Sequence, residues 1–484
     1  MSVKSPAAHK QMALDLVEKG KPLAEGAEPE KFTGKVPNEI SSKMLYRDVV
    51  DIAWPSMVEL SLTQLTAMVD LMMVGQLGAW AITSVGLTTQ PKFLFMMLIM
   101  SLNVGATAMV ARSKGAGNQE RANLFMRQAL AITFALSIII SVVGYFSSEW
   151  MIAFMGATEE SVLRGGTEYL QIQMLGFPFM LMTTTMTAVL RGVGETRTAM
   201  TYNLVSNIVN VILNYALIYG NWGFPEMGIA GASLATIIGQ FCAFVIAMWS
   251  LLSGHKYLHL RLSDGFKPDK SALSSIAKIG LPAMGEQIVM RIGMIMFAKL
   301  VAGLGTVSYA THQICMNIQA MSFMIGQAFA TSATSLVGQS LGKLRPDMAQ
   351  HYANRTRRIG LSVSIILGIA LFFLGHEIVS LYSNDAAVIA QGGVIMTVMA
   401  FILPFQSSQF ILAGALRGAG DTRSTALISL ITILILRPGL AFIGINVLDW
   451  GLWGAWIALM CDQLTRSGLI FLRYNSGKWK KIKA

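Results

Sequence analysis

The sequence predicts an all-α polytopic membrane protein, with twelve transmembrane helices in two parallel-repeat six-helix lobes. Three features lead there. The chain is 54% hydrophobic and only 13% charged, where a soluble domain carries roughly 25% charged residues. Its apolar residues fall in long runs, such as Ile132 to Val143 and Leu427 to Leu436, each inside a stretch able to span a bilayer. And the two halves of the chain repeat one another. In lipid every backbone polar group must be paired within its own segment, so runs of this kind are helices.

By length and hydropathy the spans fall at 48–75, 80–111, 121–145, 163–190, 199–220, 228–252, 273–303, 307–340, 353–381, 386–415, 424–447 and 451–473. The loops between them alternate in charge. One set holds Arg112, Lys114 and Arg121, then Arg191 and Arg197, then Lys256, Arg261, Lys267 and Lys270, then Lys343 and Arg345, then Arg417 and Arg423. The other set carries Glu149, Glu159, Glu160, Glu226, Asp385 and Asp449, with Arg164 as its one basic exception. The positive-inside rule then puts both termini in the cytoplasm of a plasma-membrane protein, and an even number of spans requires the same. The expected division is a cytosolic arm 1–45, an N-lobe 46–255, a cytoplasmic linker 256–272, a C-lobe 273–475 and a basic tail 476–484.

The repeat holds its register across many helices. Leu190-Arg191-Gly192-Val193-Gly194-Glu195-Thr196-Arg197 returns as Leu416-Arg417-Gly418-Ala419-Gly420-Asp421-Thr422-Arg423, an offset of 226, as does Pro178-Phe179 at Pro404-Phe405. Pro55 and Glu59 match Pro282 and Glu286, and Leu77-Gly78 matches Leu304-Gly305, at 227. Gly228, Gly231 and Gln240 match Gly451, Gly454 and Gln463, at 223. Six spans per half means that both copies enter the membrane in one orientation. The halves are therefore expected to relate by a pseudo-two-fold along the membrane normal and to rock about a central cavity.

Other classes fit poorly. A net charge of +11 in a soluble protein points to nucleic acid, but here the basic residues sit between apolar runs, as in loops facing anionic lipid. Cys242, Cys315 and Cys461 lie inside apolar segments without metal-ligand spacing and read as small buried hydrophobes. The arm lacks the apolar core of a signal peptide. An intramembrane transferase needs a catalytic cluster, and His312 has no near acidic partner.

Several of these motifs resemble the multidrug and toxic compound extrusion (MATE) family. They are Pro55 and Asp70 with V-D-x-x-x-V-G-x-L-G, the A-R-x-x-G-A-G ending at Gly117, the two L-R-G-x-G-D/E-T-R loops, and N-x-x-x-N-Y at Asn210 to Tyr215. The resemblance covers residues 45–475 and implies a non-enzymatic antiporter. Such a protein exports cationic or amphipathic small molecules in exchange for H⁺ or Na⁺, without a cofactor. Its partners are then small-molecule substrates and the lipid bilayer, with no nucleic acid and the chain acting as a monomer. A lipid-linked oligosaccharide flippase of the same superfamily is the alternative. One branch of the family has a second-lobe cation site; its acidic positions are Met290 and Ser407 here, so that site is absent. The first-lobe site maps onto Asp70, Asn210, Asn214 and Thr236, with Asn214 standing where some members have Asp. No resident metal is implied, only transient Na⁺ at Asp70 and Asn210.

Polar residues inside spans each need an account, because an unpaired charge in the bilayer core is costly. Asp70 sits among Met68, Val69, Leu71 and Met72 as a candidate binder of H⁺ or Na⁺. Asn203, Asn207, Asn210 and Asn214 recur at i, i+4, i+7 and i+11 on one helix face. That face offers a hard cation oxygen ligands; helix-to-helix amide bonding is the other reading. Glu59 and Glu286, four residues after a Pro, either cap loosened backbone or take part in coupling. Arg437 and Asp462, with Glu286 and Arg291, are expected to form one charge-paired network, and Lys92 to be the counter-charge of Asp70. Arg191 and Arg417 read as residues of tight turns at helix C-termini. The 32 methionines fill core gaps or line a promiscuous cavity.

Overall fold

The computed structural model describes residues 41–482 apart from Thr158 and Asn384; most of the expected arm, and residues 483–484 of the tail, lie outside the described residues. The long helices are α1 (Ser42–Gly75), α2 (Ala79–Gly115), α3 (Gln119–Phe146), α4 (Glu160–Gly192), α5 (Thr196–Tyr219), α6 (Gly228–Leu252), α7 (Lys270–Ala302), α8 (Thr306–Gly342), α9 (Pro346–Ser380), α10 (Ala386–Gly418), α11 (Thr422–Val447) and α12 (Gly451–Asn475). Each overlaps one predicted span. Eight of them are long and apolar enough to cross a membrane on that criterion alone. The other four are α5, α7, α8 and α12. Interior polar groups lower their hydropathy, among them the asparagines of α5, Glu286 and Arg291 of α7, and Asp462 and Arg466 of α12.

Local chemistry sets the ends. Asn118, Asp269 and Asp385 accept backbone N–H groups of the first turns of α3, α7 and α10 at 2.8–2.9 Å, satisfying donors that a helix start leaves open. Gly194 and Gly420, equivalent positions of the two L-R-G loops, take φ of +79° and +85°, which a residue with a Cβ adopts only with strain. Helices α1 and α9 begin about two turns before the apolar runs do. Those extra turns carry the charged residues Arg47 and Asp347. A short helix Ser148–Phe154, not foreseen from the sequence, presents Trp150 and Phe154, stacked at 5.4 Å.

The two halves meet symmetrically. Repeat mates Ala111 and Gly338 face each other, and a Cβ on Gly338 would lie 2.8 Å from that of Ala111. The pseudo-two-fold therefore passes between them. Around it, a Cβ on Gly115 of α2 would collide with the Gln339 carbonyl of α8, and one on Gly342 with the Arg112 carbonyl. Arg112 and Gln339 are themselves mates at 227. Gly105 of α2 lies on the Ile276 carbonyl of α7, while Ser332 Oγ of α8 donates to the Val49 carbonyl of α1 at 3.1 Å. Ser335 and Gln339 both donate to the Gly192 carbonyl, at 2.9 and 3.1 Å. The first turns of α1 and α7 also cross over. Leu45, Val49 and Ile52 pack in the core of the second half, and their mates Ala272, Ile276 and Ile279 in the core of the first.

These contacts seal the end that carries the Arg-rich loops. At the opposite end the outer part of α1 is exposed at Leu65, Met68, Leu71 and Met72. The segment between the lobes is pinned to α3. Gln128 donates to the Lys267 carbonyl at 2.8 Å and Asn123 accepts the His259 N–H at 3.1 Å.

A bulky side chain in this crossing should open it. Overpacking costs about 1–3 kcal/mol, a shift of ~5- to 150-fold in the closed-to-open ratio. Gly342→Val and Gly115→Val should each raise the rate at which a cysteine placed at Ser335 is labelled from the basic end. Unchanged labelling in both would mean that the crossing does not hold that end shut.

Candidate functional site

Helices α1 and α5 lie side by side, joined by a polar ladder of constant register. Asn203 Nδ2 donates to Glu59 Oε1 at 2.6 Å, Asn207 Nδ2 to Thr63 Oγ1 at 3.4 Å, and Asn214 Nδ2 to Asp70 Oδ1 at 2.5 Å, each pair separated by 144 residues. Glu59, Thr63 and Asp70 share the i, i+4, i+11 spacing of their partners, so the α1 half of the ladder was visible in the sequence. The asparagine stripe is thus engaged in helix-to-helix bonding, and at its outer end that bonding converges on a carboxylate.

At Asp70 a third helix joins. A Cβ on Gly231 of α6 would lie 2.5 Å from the Leu217 carbonyl of α5, and one on Gly239 would lie 2.7 Å from that of Ser206. This close approach brings Thr236 of α6 to Asn210. With the Asn210 amide oriented to satisfy both ends, its nitrogen donates to Asp70 at 2.8 and 3.2 Å and its oxygen accepts from the Thr236 hydroxyl and N–H at 3.1 and 3.2 Å. Asn214 Oδ1 is buried without a partner. Asp70, Asn210, Asn214 and Thr236 therefore form one cluster of oxygen-bearing groups, a donor set suited to a proton or a small hard cation. Asn207 stands two turns away on the ladder. Lys92, expected as the counter-charge of Asp70, places its ammonium 5.0 Å from the Tyr169 ring centroid, and no ion pair within 4.0 Å joins it to Asp70 among the described residues.

The C-lobe equivalent is chemically different. The mate of Asp70 is Phe297. Beside it lies Arg437, its guanidinium 5.8 Å from the Phe297 ring. Arg437 Nε donates to Asp462 Oδ2 at 2.9 Å, and Arg466 donates to the same oxygen. All three side chains are almost wholly buried. The expected network thus exists in part. Arg466 belongs to it, i+4 from Asp462 on α12, a spacing the sequence displayed. Glu286 does not hydrogen-bond to it: Arg417 reaches Glu286 Oε1 at 3.2 Å, Ser429 donates to Oε1 at 3.2 Å and Thr425 to Oε2 at 3.3 Å. Arg291 leaves it too, lying 3.6 Å over the Phe93 ring of α2. Around Arg437, α11 widens to a π-helix over Leu430–Leu436 and again over Ile443–Val447, a form that still pairs its backbone groups within the segment, as lipid requires.

Glu59 is built like Glu286. Arg191 Nη2 reaches its Oε1 at 2.8 Å, and Asn203 occupies the position equivalent to Ser429. Both glutamates therefore tie the first helix of a lobe to its fourth by an ion pair and to its fifth by hydrogen bonds, and among the described residues neither caps the backbone freed by proline. Arg191 and Arg417 turn out to be the partners of these acids.

A family model, MatE, matches residues 55–216 and 282–443, one copy on each half. The chain belongs to the MatE family. Its members are membrane transporters and not enzymes. A probable multidrug resistance protein NorM from Thermotoga maritima is 28% identical over 436 residues, covering 90% of this chain and 93% of the relative. The multidrug resistance protein PmpM of Pseudomonas aeruginosa is 26% identical over 454 residues, 89% and 93% of the two chains. Among solved structures, the outward-facing conformation of a multidrug resistance MATE family transporter of the MOP superfamily superposes with TM-score 0.83 at 20% identity, over 92% of this chain and 99% of that one. A MOP superfamily transporter from Pyrococcus furiosus, described as having a binding pocket of reverse polarity, does so with TM-score 0.83 at 21%, over 93% and 100%. These likenesses show the twelve-helix, two-lobe fold. In this MatE chain Ser407 lines a small buried void with Gln406, Ser364 and Gly326, and no carboxylate lines it.

Proposed function

We propose that this MatE transporter is a plasma-membrane antiporter that exports cationic or amphipathic small molecules in exchange for H⁺ or Na⁺. The cluster of Asp70, Asn210, Asn214 and Thr236 carries the reading. It is a carboxylate with amide and hydroxyl groups at membrane depth, on helices of one lobe, toward the end opposite the sealed one. The cation holds the site at one stage of the cycle, and rocking of the lobes exchanges it for substrate across the membrane. The names of the NorM and PmpM relatives support the substrate class. The Arg-rich loops support a cytoplasmic location for the sealed end and both termini.

Inverted vesicles containing the full chain should accumulate a fluorescent organic cation when either a Na⁺ or a pH gradient is imposed, and the arm that works identifies the ion. Accumulation in neither arm, with the protein present and folded, would overturn the antiport reading.

A further inference from the structure

The two repeat-related glutamates differ in one respect. Glu286 has both oxygens engaged: Oε1 by Arg417 and Ser429, Oε2 by Thr425. Glu59 takes Arg191 and Asn203 on Oε1 alone, and its Oε2 is buried with no partner. The position equivalent to Thr425 is Ala199, which has no hydroxyl to give. A carboxylate 6% exposed with one oxygen bare is costly unless something binds it for part of the time.

Its location says what that is. Glu59 lies on the same face of α1 as Asp70, eleven residues and so ~16 Å nearer the Arg-rich end. Thr63 stands between them, its hydroxyl donating to the Glu59 carbonyl at 2.9 Å and accepting from Asn207. Polar side chains therefore recur along the facing sides of α1 and α5 between the outer carboxylate and the inner one. Beyond Glu59 comes Arg191, a side chain 19% exposed at the foot of α4. Among the described residues no such ladder exists in the C-lobe, where the mate of Asp70 is Phe297.

We infer that Glu59 is a second cation-binding residue of the N-lobe, whose free oxygen takes the H⁺ or Na⁺ released by Asp70 on its way to the Arg-rich end. The inference rests on the antiport reading and deepens it. For a proton, the O–H bond at Asp70 breaks and one at Glu59 Oε2 forms. For Na⁺, the ion moves from one carboxylate to the other, with Thr63 among its ligands. Arg191 keeps its bond to Oε1, so the loaded state carries one extra positive charge and gives the cation up readily.

Glu286 supplies the control, since its ion pair is complete and on no such path. Glu59→Gln should reduce gradient-driven export per folded molecule by about 10-fold, mid-range for coupling between sites, and shift the pH or Na⁺ dependence of what remains. Glu286→Gln should lower yield while leaving that dependence, per folded molecule, as in the wild type. Should Glu59→Gln fail to accumulate, the Glu59→Gln/Arg191→Gln double variant, which leaves no unpaired buried charge, is measured the same way. An unaltered ion dependence in whichever variant folds overturns the inference, because a purely structural ion pair moves yield and not ion dependence. If instead neither gradient drives wild-type transport, the antiport reading has failed and the inference with it; wild-type drive with an unaltered Glu59 variant fails the inference alone.

Discussion

Asp70→Asn should abolish gradient-driven export while leaving the protein in the membrane at close to wild-type abundance. Three hydrogen bonds from Asn214 and Asn210 reach the carboxylate in the native arrangement. An amide of the same shape keeps at least one of them, and it adds no buried charge to the lobe. The close packing of α6 on α5 rests on Gly231 and Gly239, which the substitution does not touch. What disappears is the anionic oxygen pair that a proton or Na⁺ can neutralise. The amide neither takes up a proton in the working pH range nor supplies the charge that holds a cation. The measurements are cation accumulation in inverted vesicles under each gradient and the protein's abundance in the same membranes. Full accumulation under both gradients would remove Asp70 from the mechanism.

The largest effect on folding is expected at Asp462. Two arginines converge on its Oδ2 in a fully buried setting. Asp462→Ala leaves both guanidiniums without a counter-charge, and breaking a buried pair in this way costs about 3–5 kcal/mol, a large part of the ~5–15 kcal/mol that typically holds a domain folded. Arg437→Leu should be far milder, because Asp462 still holds Arg466. The triple change Asp462→Ala, Arg437→Leu and Arg466→Leu should recover much of the loss, since it removes the stranded charges. Monodisperse protein extracted in detergent is the readout. Equal damage from Asp462→Ala and Arg437→Leu, or no recovery in the triple variant, would show that the triad is not a unit.

Residue chemistry alone determined the class, the twelve spans and the parallel repeat. Lipid leaves a backbone few choices, and an offset of 226 to 227 residues requires only that equivalent residues recur. It also singled out Asp70, Asn210, Asn214 and Thr236, through the likeness to a family and the spacing on one helix face. Tertiary structure decided which charge meets which. Glu286 and Arg437 lie at similar depth on neighbouring helices, and depth and spacing suggested a single network. But side-chain direction about a helix axis follows from packing, and packing turns Glu286 toward Arg417 and Arg437 toward Asp462 and Arg466. The same holds for the closed end. Gly115 and Gly342 could be read as repeated small residues, yet only the crossing of α2 over α8 shows that their missing side chains let the two lobes touch. Glu59 and Glu286 look alike in the sequence; the bare oxygen that separates them depends on Ala199 lying where Thr425 lies in the other lobe, a contact between helices more than a hundred residues apart.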